Sequence, residues 1–390
     1  MKKQCTARDR DVFSHGVFFC CAHPVRTGPT ANPLAYSRCM STIGALRRRI
    51  LTPPLVDVTF AERGFPVVPT DATRRLEAVP QAVICGFEWG MEARDLWEIE
   101  SRLNLVEQEQ RGFAYEGATM AFTVRDALPG GGTTRTRELL DGPGHAHIFL
   151  AYIGIGFAMA RLPRPLWRKV LPALESSPYH PTMSWLAVDG YGFDRAYFAT
   201  RAWVDEQRVP APYPWQGAPG YFPRAVDQGI GRALWFIHGG VAGAVTAAVH
   251  RFAPHRHADL WSGVGLAATF AGGATEQGLA ELRRGAGECG PDVALGMVFA
   301  AKARDYAGFV PPHTELAAQV LGGVDTADAV SIADRTEVPA TESADVPPYE
   351  VWRRRIRSAF ATGRWTARTG PTDDRRTDML ATNPTRQGGD

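Results

Sequence analysis

No stretch of this chain combines β-branched residues with strict alternation for long enough to build a sheet, and that absence constrains its fold more than any other feature. Apolar residues recur instead at helical spacing from Met40 onward, cut at intervals by Pro and Gly, which stop helices. The pattern predicts helices over 43–51, 71–103 with a break at Pro80, 112–128, 136–140, 145–162, 166–175 and 181–204. A Pro-rich connector over 209–223 separates these from a second set over 225–252, 257–285, 291–308, 313–321, 326–336 and 349–361. The expected fold class is therefore all-α, a multi-helix globular bundle.

An internal duplication is expected inside it. Ile84-Cys85-Gly86-Phe87-Glu88-Trp89-Gly90 parallels Ile237-His238-Gly239-Gly240-Val241-Ala242-Gly243. Tyr115-Glu116-Gly117-Ala118-Thr119-Met120-Ala121 parallels Trp261-Ser262-Gly263-Val264-Gly265-Leu266-Ala267, and Gly144 and Gly290 each open an aliphatic helix. Matches in the same order predict two diverged repeats, 71–162 and 225–308, about a pseudo-twofold axis.

The ends read differently. Four of the six cysteines, Cys5, Cys20, Cys21 and Cys39, precede Met40 in an aperiodic stretch, so residues 1–39 are expected to be an unstructured extension or a mis-called start. Its apolar run over 17–22 is too short for a signal-peptide core. Only Cys85 and Cys289 remain beyond it, which implies a reducing, cytoplasmic setting. Residues 362–390 hold almost no apolar side chains and are expected to form a disordered tail beyond a helical domain over 40–361.

A formal net charge of +2 gives no reason to expect a nucleic-acid partner. The apolar run over 233–249 approaches a membrane-spanning length, yet His238 and the glycines 239, 240 and 243 suit a buried packing face better. The basic stretches around Arg47 and Arg353 read as solvated faces of terminal helices, with peripheral membrane contact as the alternative.

No strong catalytic motif is present. Gly130-Gly131-Gly132 lacks the Lys-Ser/Thr pair of a phosphate loop, and neither a Glu-x-x-His pair nor a nucleophile elbow occurs. No cofactor and no metal centre is expected. His145/His147 and His255/His257 are too closely spaced to chelate from one helix face, although His147, opening an apolar helix, is the better candidate to face inward. Of the acidic series Glu88, Glu92, Asp95, Glu98 and Glu100, all but Glu88 read as a solvated face. Glu88 lies between Phe87 and Trp89, where a carboxylate is costly unless hydrogen-bonded. The segment 185–198 sets two glycines, several aromatics, Asp189 and Asp194 into helical surroundings, a composition suited to lining a pocket for a flat conjugated ligand.

Several segments together resemble an uncharacterised family of UnbL-like proteins encoded in enediyne biosynthetic gene clusters. They are the opening 40–52, Glu62-Arg63-Gly64-Phe65, Gly112-Phe113-Ala114-Tyr115-Glu116-Gly117-Ala118, Asp189-Gly190-Tyr191-Gly192-Phe193 and Leu260-Trp261-Ser262-Gly263-Val264-Gly265, and the likeness runs over about 40–338. In that family histidine commonly follows the aromatic of the Asp-Gly-Tyr-Gly-Phe segment, where this chain has Asp194. The resemblance implies a part in converting, or handling, the linear polyene made by the enediyne polyketide synthase, and it assigns no catalytic residue.

The expected partners are thus a hydrophobic polyene or polyketide ligand and the synthase or other pathway proteins. An enzyme should bury a few convergent polar groups in an apolar cavity, whereas a non-enzymatic carrier or synthase-docking scaffold needs only the cavity or an apolar patch. A terpene-cyclase-like helical enzyme is the third reading. The expected site places Glu88, Glu116, Asp189 and His238 around a shared cavity lined by Trp89, Tyr115, Tyr191 and Trp235.

Overall fold

Seven long helices form a single row in which each runs parallel to the next. The computed structural model describes residues 44, 48–49 and 52–361, apart from 129, 131, 133, 175–176 and 340–345. The expected extension over 1–39 and tail over 362–390 lie outside them. Among the described residues the protein is all-helical, with no strand. The row comprises α1 (Asp71–Glu92), α3 (Gln108–Ala127), α5 (Ile148–Arg161), α6 (Trp185–Phe198), α7 (Phe222–Ile237), α9 (His257–Phe270) and α11 (Gly290–Tyr306).

Parallel neighbours require the chain to travel back between them. The short helices α2 (Leu96–Leu103), α4 (Arg135–Asp141), α8 (Ala242–His250) and α10 (Glu276–Ala286) occupy four of the returns. Irregular segments carry out the other two. Beyond the row, α12 (Pro312–Ala317), α13 (Thr326–Thr336) and α14 (Pro348–Ala361) complete the molecule.

Glycines set the spacing of the row. A Cβ on Gly231 of α7 would lie 2.0 Å from the carbonyl oxygen of Leu260 on α9, and one on Gly263 of α9 would lie 1.9 Å from that of Gln228 on α7. The two contacts are reciprocal, each glycine resting on the carbonyl three residues before its counterpart, so the backbones nearly touch. The same reciprocal contact joins α1 to α3, α5 to α6, α6 to α7 and α9 to α11, while α3 and α5 share one such contact, Gly154 on the Glu116 carbonyl. The inner helices α5, α6, α7 and α9 carry Gly-x-Gly, in which one glycine faces the preceding helix and the other the following one, whereas α3 has Thr119 at the second position.

The leading glycines, Gly117, Gly154, Gly190, Gly229, Gly263 and Gly296, mark a repeat of roughly 35 residues, the size of a single helix with its return. The expected two halves are therefore not the unit of this regularity. Tyr115–Thr119 and Trp261–Gly265 do occupy equivalent places in the repeat. The match between 84–90 and 237–243 does not, since the first lies within α1 and the second is the break after α7.

Other expectations also need correction. Gly239 and Gly240 take positive φ (59° and 73°) and end α7, splitting the helix expected over 225–252 and with it the candidate membrane segment. No helix among the described residues is long and apolar enough to cross a membrane. Gly272 and Gly273 divide 257–285 in the same way. Pro80 does not break α1; the chain breaks at 93–95, where Asp95 caps α2 by accepting from the Glu98 amide. Of 166–175 only a short 3-10 turn, Arg164–Lys169, forms.

The terminal helix α14 is not a solvated face. Trp352 is fully buried with its indole N–H donating to the Ala333 carbonyl at 3.0 Å, Arg353 pairs with Asp259 on α9, and Arg357 with Asp292 on α11. The row also curls back on itself: Arg304 near the end of α11 donates to the Glu109 carbonyl at the start of α3 at 2.9 Å, and Phe113 of α3 meets Phe270 of α9 edge-on at 5.4 Å. The inward faces of α3, α5, α6, α7, α9 and α11 thereby enclose a common interior.

Candidate functional site

Three adjoining cavities share walls along that interior. The middle one, about 40 Å³, is lined by Phe113, Phe149, Ile153, Leu186, Phe236, Leu266, Phe270 and Phe299, with Glu116 and Arg232 as its charged groups. Phe113, Glu116, Arg232 and Phe236 also wall a second lobe of about 60 Å³, which extends past Val83, Met120, Phe157 and Phe193 to Arg161, Asp194 and Phe198. On the opposite side Phe149, Leu150, Phe270 and Ala303 are shared with a third cavity of about 40 Å³ that opens past Arg111, His147 and Arg304. Volumes of this size hold a few waters or a segment of unbranched chain.

Glu116 and Arg232 form the polar waist between the two apolar lobes, with Asp189 paired to Arg232 behind the cavity walls. Glu116 on α3 and Asp189 on α6 each immediately precede a repeating glycine, Gly117 and Gly190, and such residues sit where neighbouring helices approach closest. Arg232 on α7 follows Gly231. Its Nε lies 2.7 Å from Asp189 Oδ1 in a buried ion pair, and its Nη2 has no hydrogen-bond partner among the described residues. The guanidinium also lies over the ring of Phe193, 4.8 Å from the centroid.

Glu116 is 3 % exposed, and burial pushes its carboxyl up to about 8, with the Arg232 charge opposing the shift and Asp189 adding to it. Burial raises Asp189 as well, countered by Arg232, which bonds it directly. One guanidinium between two carboxyls balances one negative charge. The direct contact assigns that charge to Asp189, and Glu116 is the acid that keeps its proton at neutral pH. Such a group can donate a proton and leave a carboxylate facing Arg232.

Behind the waist lies a second buried network. Gln228, which precedes Gly229, donates to Tyr221 Oη at 3.0 Å and to Asp259 Oδ1 at 2.9 Å. Arg353 reaches Asp259 and Ser262, and Tyr221 donates to Glu350 at 2.9 Å. Arg224 bridges Asp259 and Glu350. Its hydrogen bonds and ion pairs clamp α14 onto α7 and α9.

Of the eight residues expected around one cavity, only Glu116 and Asp189 come together. Glu88 is half-buried on the opposite side of α1, near Arg48 and Glu92; burial raises its carboxyl. Trp89 and Tyr115 belong to a small separate cluster with Ile99, Leu103 and Phe122, where Tyr115 stacks on His147 at 4.6 Å. Tyr191 packs outward among Trp167, Trp203 and Phe222. Trp235 is fully buried and donates to the Gly272 carbonyl at 2.8 Å. His238 caps α7; burial lowers its imidazole, and its charged neighbours are Arg251 and Asp205 rather than the waist.

His145 and His147 take unrelated partners, Tyr306 and Tyr115, and among the described residues no group of three or more His, Cys, Asp or Glu side chains is placed to hold a metal ion. The acidic series around α2 is structural, Glu92 pairing with Arg48 and Arg102, and Glu98 with Arg94 and Arg102. Sequence reasoning missed Arg232, Phe113 and Phe236. Arg232 carried a usable signal, a lone charge within an otherwise apolar stretch over 229–237, beside Gly229-Ile230-Gly231.

A family model for a protein of unknown function (DUF1702) matches residues 42–360. No curated protein and no solved structure matches.

Proposed function

The chain belongs to the DUF1702 family, whose description assigns no activity, and we propose that it takes a linear conjugated chain into its row of cavities and that Glu116 moves a proton on that chain. The observation carrying this reading is a buried, neutral acid facing an arginine at the junction of two apolar lobes. A carrier needs apolar walls only, and a charged group in them weakens the binding of hydrocarbon. An enzyme that shifts double bonds needs this acid.

Glu116 would give its proton to one end of a conjugated segment, and the resulting carboxylate, held by Arg232, would take a proton from the other end. The net change is a double-bond isomerisation with no added reactant. The resemblance to proteins of enediyne gene clusters supplies the substrate class, the linear polyene of the polyketide synthase, and the slender lobes fit an unbranched chain.

The test uses purified protein and that polyene, followed by its absorbance bands. Glu116→Gln should keep polyene binding and lose the spectral change by at least 100-fold. A Gln variant that converts polyene at the original rate would remove the catalytic role and leave a carrier. Wild-type protein that does not bind polyene would remove the whole reading.

A further inference from the structure

We propose that the third cavity, at the ends of α3, α5 and α11, seats the anionic head, carboxylate or phosphate, of an amphiphile whose apolar chain runs inward past Phe149 and Phe270. This deepens the function proposed above and rests on the row of cavities being a chain site.

Arg304 carries the argument. It is 3 % exposed, and its guanidinium donates to two neutral acceptors, the backbone carbonyls of Glu109 at 2.9 Å and Phe270 at 2.6 Å, while its buried Nε has no partner among the described residues. The group lies over the ring of Phe270, 3.8 Å from its centroid. Of the other buried arginines, Arg232, Arg256 and Arg353 each have a carboxylate oxygen within 3.2 Å, while Arg125, which lines none of the three cavities, donates to the carbonyls of Gly90 and Ala93. The carboxylate nearest Arg304 in charge terms, Glu109, is 43 % exposed and lies 3.8 Å from His313 instead.

Arg111 repeats the pattern on the opposite wall. It donates to the Val106 and Asn104 carbonyls and likewise has no ion-pair partner among the described residues. His147 lies in the same wall, driven down to about 4 by burial and by the charges of Arg111 and Arg304, so it is a neutral ring able to donate one N–H. Two uncompensated guanidiniums and an imidazole around a small cavity are suited to a carboxylate or phosphate. The walls shared with the apolar lobe, Phe149, Leu150, Phe270 and Ala303, put the entrance for a chain directly behind that head.

The probe is cis-parinaric acid, a conjugated tetraene that fluoresces on binding, titrated beside its uncharged methyl ester at neutral pH. The acid should bind at least 10-fold more tightly than the ester. Arg304→Met and the rim variant Arg111→Gln should each erase most of that preference, read as the ratio of acid to ester affinity within the same variant, and a thermal melt of each variant checks folding. Competition by dodecanoate and by dodecyl phosphate assigns the head to carboxylate or phosphate, and displacement by either supports an anion seat. Equal affinity for acid and ester, or variants that keep the preference, would overturn the head-group inference and leave the chain site standing. If neither probe binds, the chain site and the seat fall together.

Discussion

At the scale of single residues, the waist makes predictions about pH and about charge balance. Glu116 holds its proton to about 8 when folded, against an ordinary 4.5 when unfolded. Below both values the folded and unfolded chains bind the same proton, and between them only the unfolded chain releases it. The stability associated with Glu116 is therefore fully present below pH 4.5 and is lost as pH rises through 8. One pKa unit is worth about 1.4 kcal/mol, so the loss amounts to several kcal/mol. Glu116→Gln should flatten this slope, and urea midpoints at pH 5 and pH 9 measure it; an unchanged difference between the two midpoints would show that the carboxyl is not the buried acid.

Arg232→Met should cost about 3–5 kcal/mol, because it leaves Asp189 buried without its partner. The double variant with Asp189→Asn should recover a good part of that, whereas a purely steric role for Arg232 would leave the two changes additive. Glu116 and Asp189 were legible in sequence because each is a polar residue inside an apolar helix beside a glycine. Glu88 is likewise a polar residue inside an apolar helix, between Phe87 and Trp89, and still faces away, since position along a helix fixes which residues share a face and not what that face meets.

At the scale of the helix, the reciprocal glycine contacts are the feature most open to test. Gly263→Ala would place a methyl group 1.9 Å from the Gln228 carbonyl oxygen, so α7 and α9 must separate. Overpacking of this kind costs about 3 kcal/mol, and more where backbone has to move. Gly220→Ala, an exposed position with open space around it, should change stability by less than about 0.5 kcal/mol. Thermal melts of the two variants decide it, and a Gly263→Ala protein as stable as the parent would mean that the close crossing is not needed. Helix existence was readable from apolar periodicity, as with 326–336, which forms as expected. Helix ends were less readable. Gly239-Gly240 reads in sequence as packing material and Gly272-Gly273 falls inside the helix expected over 257–285; only the fold shows these pairs in positive φ, turning the chain out of the row.

At the scale of the whole molecule, the curled row depends on its final helix. Trp352, Tyr349 and Ile356 of α14 are buried against the row, and Arg353 sits inside the network with Asp259 and Ser262. Trp352→Ala should cost about 3–5 kcal/mol and lower the single melting transition of the entire chain. Loss confined to α14, with the rest melting as before, would instead show that the row stands without it.

The amino-acid sequence by itself determined that the chain is helical, where its apolar faces lie, and that glycines recur along it. Those are local properties, set by backbone propensity and by spacing within a few residues. The unit of repetition was also present, as a glycine returning at the same place in each long helix and doubled to Gly-x-Gly in α5, α6, α7 and α9, but comparing two halves concealed it. Only the tertiary structure decided that successive helices run parallel, that α11 returns to α3, and that Glu116, Asp189 and Arg232, from three helices, meet at one point. Their meeting depends on crossing geometry and on the path of the return segments, and neither is encoded in the periodicity of any one helix.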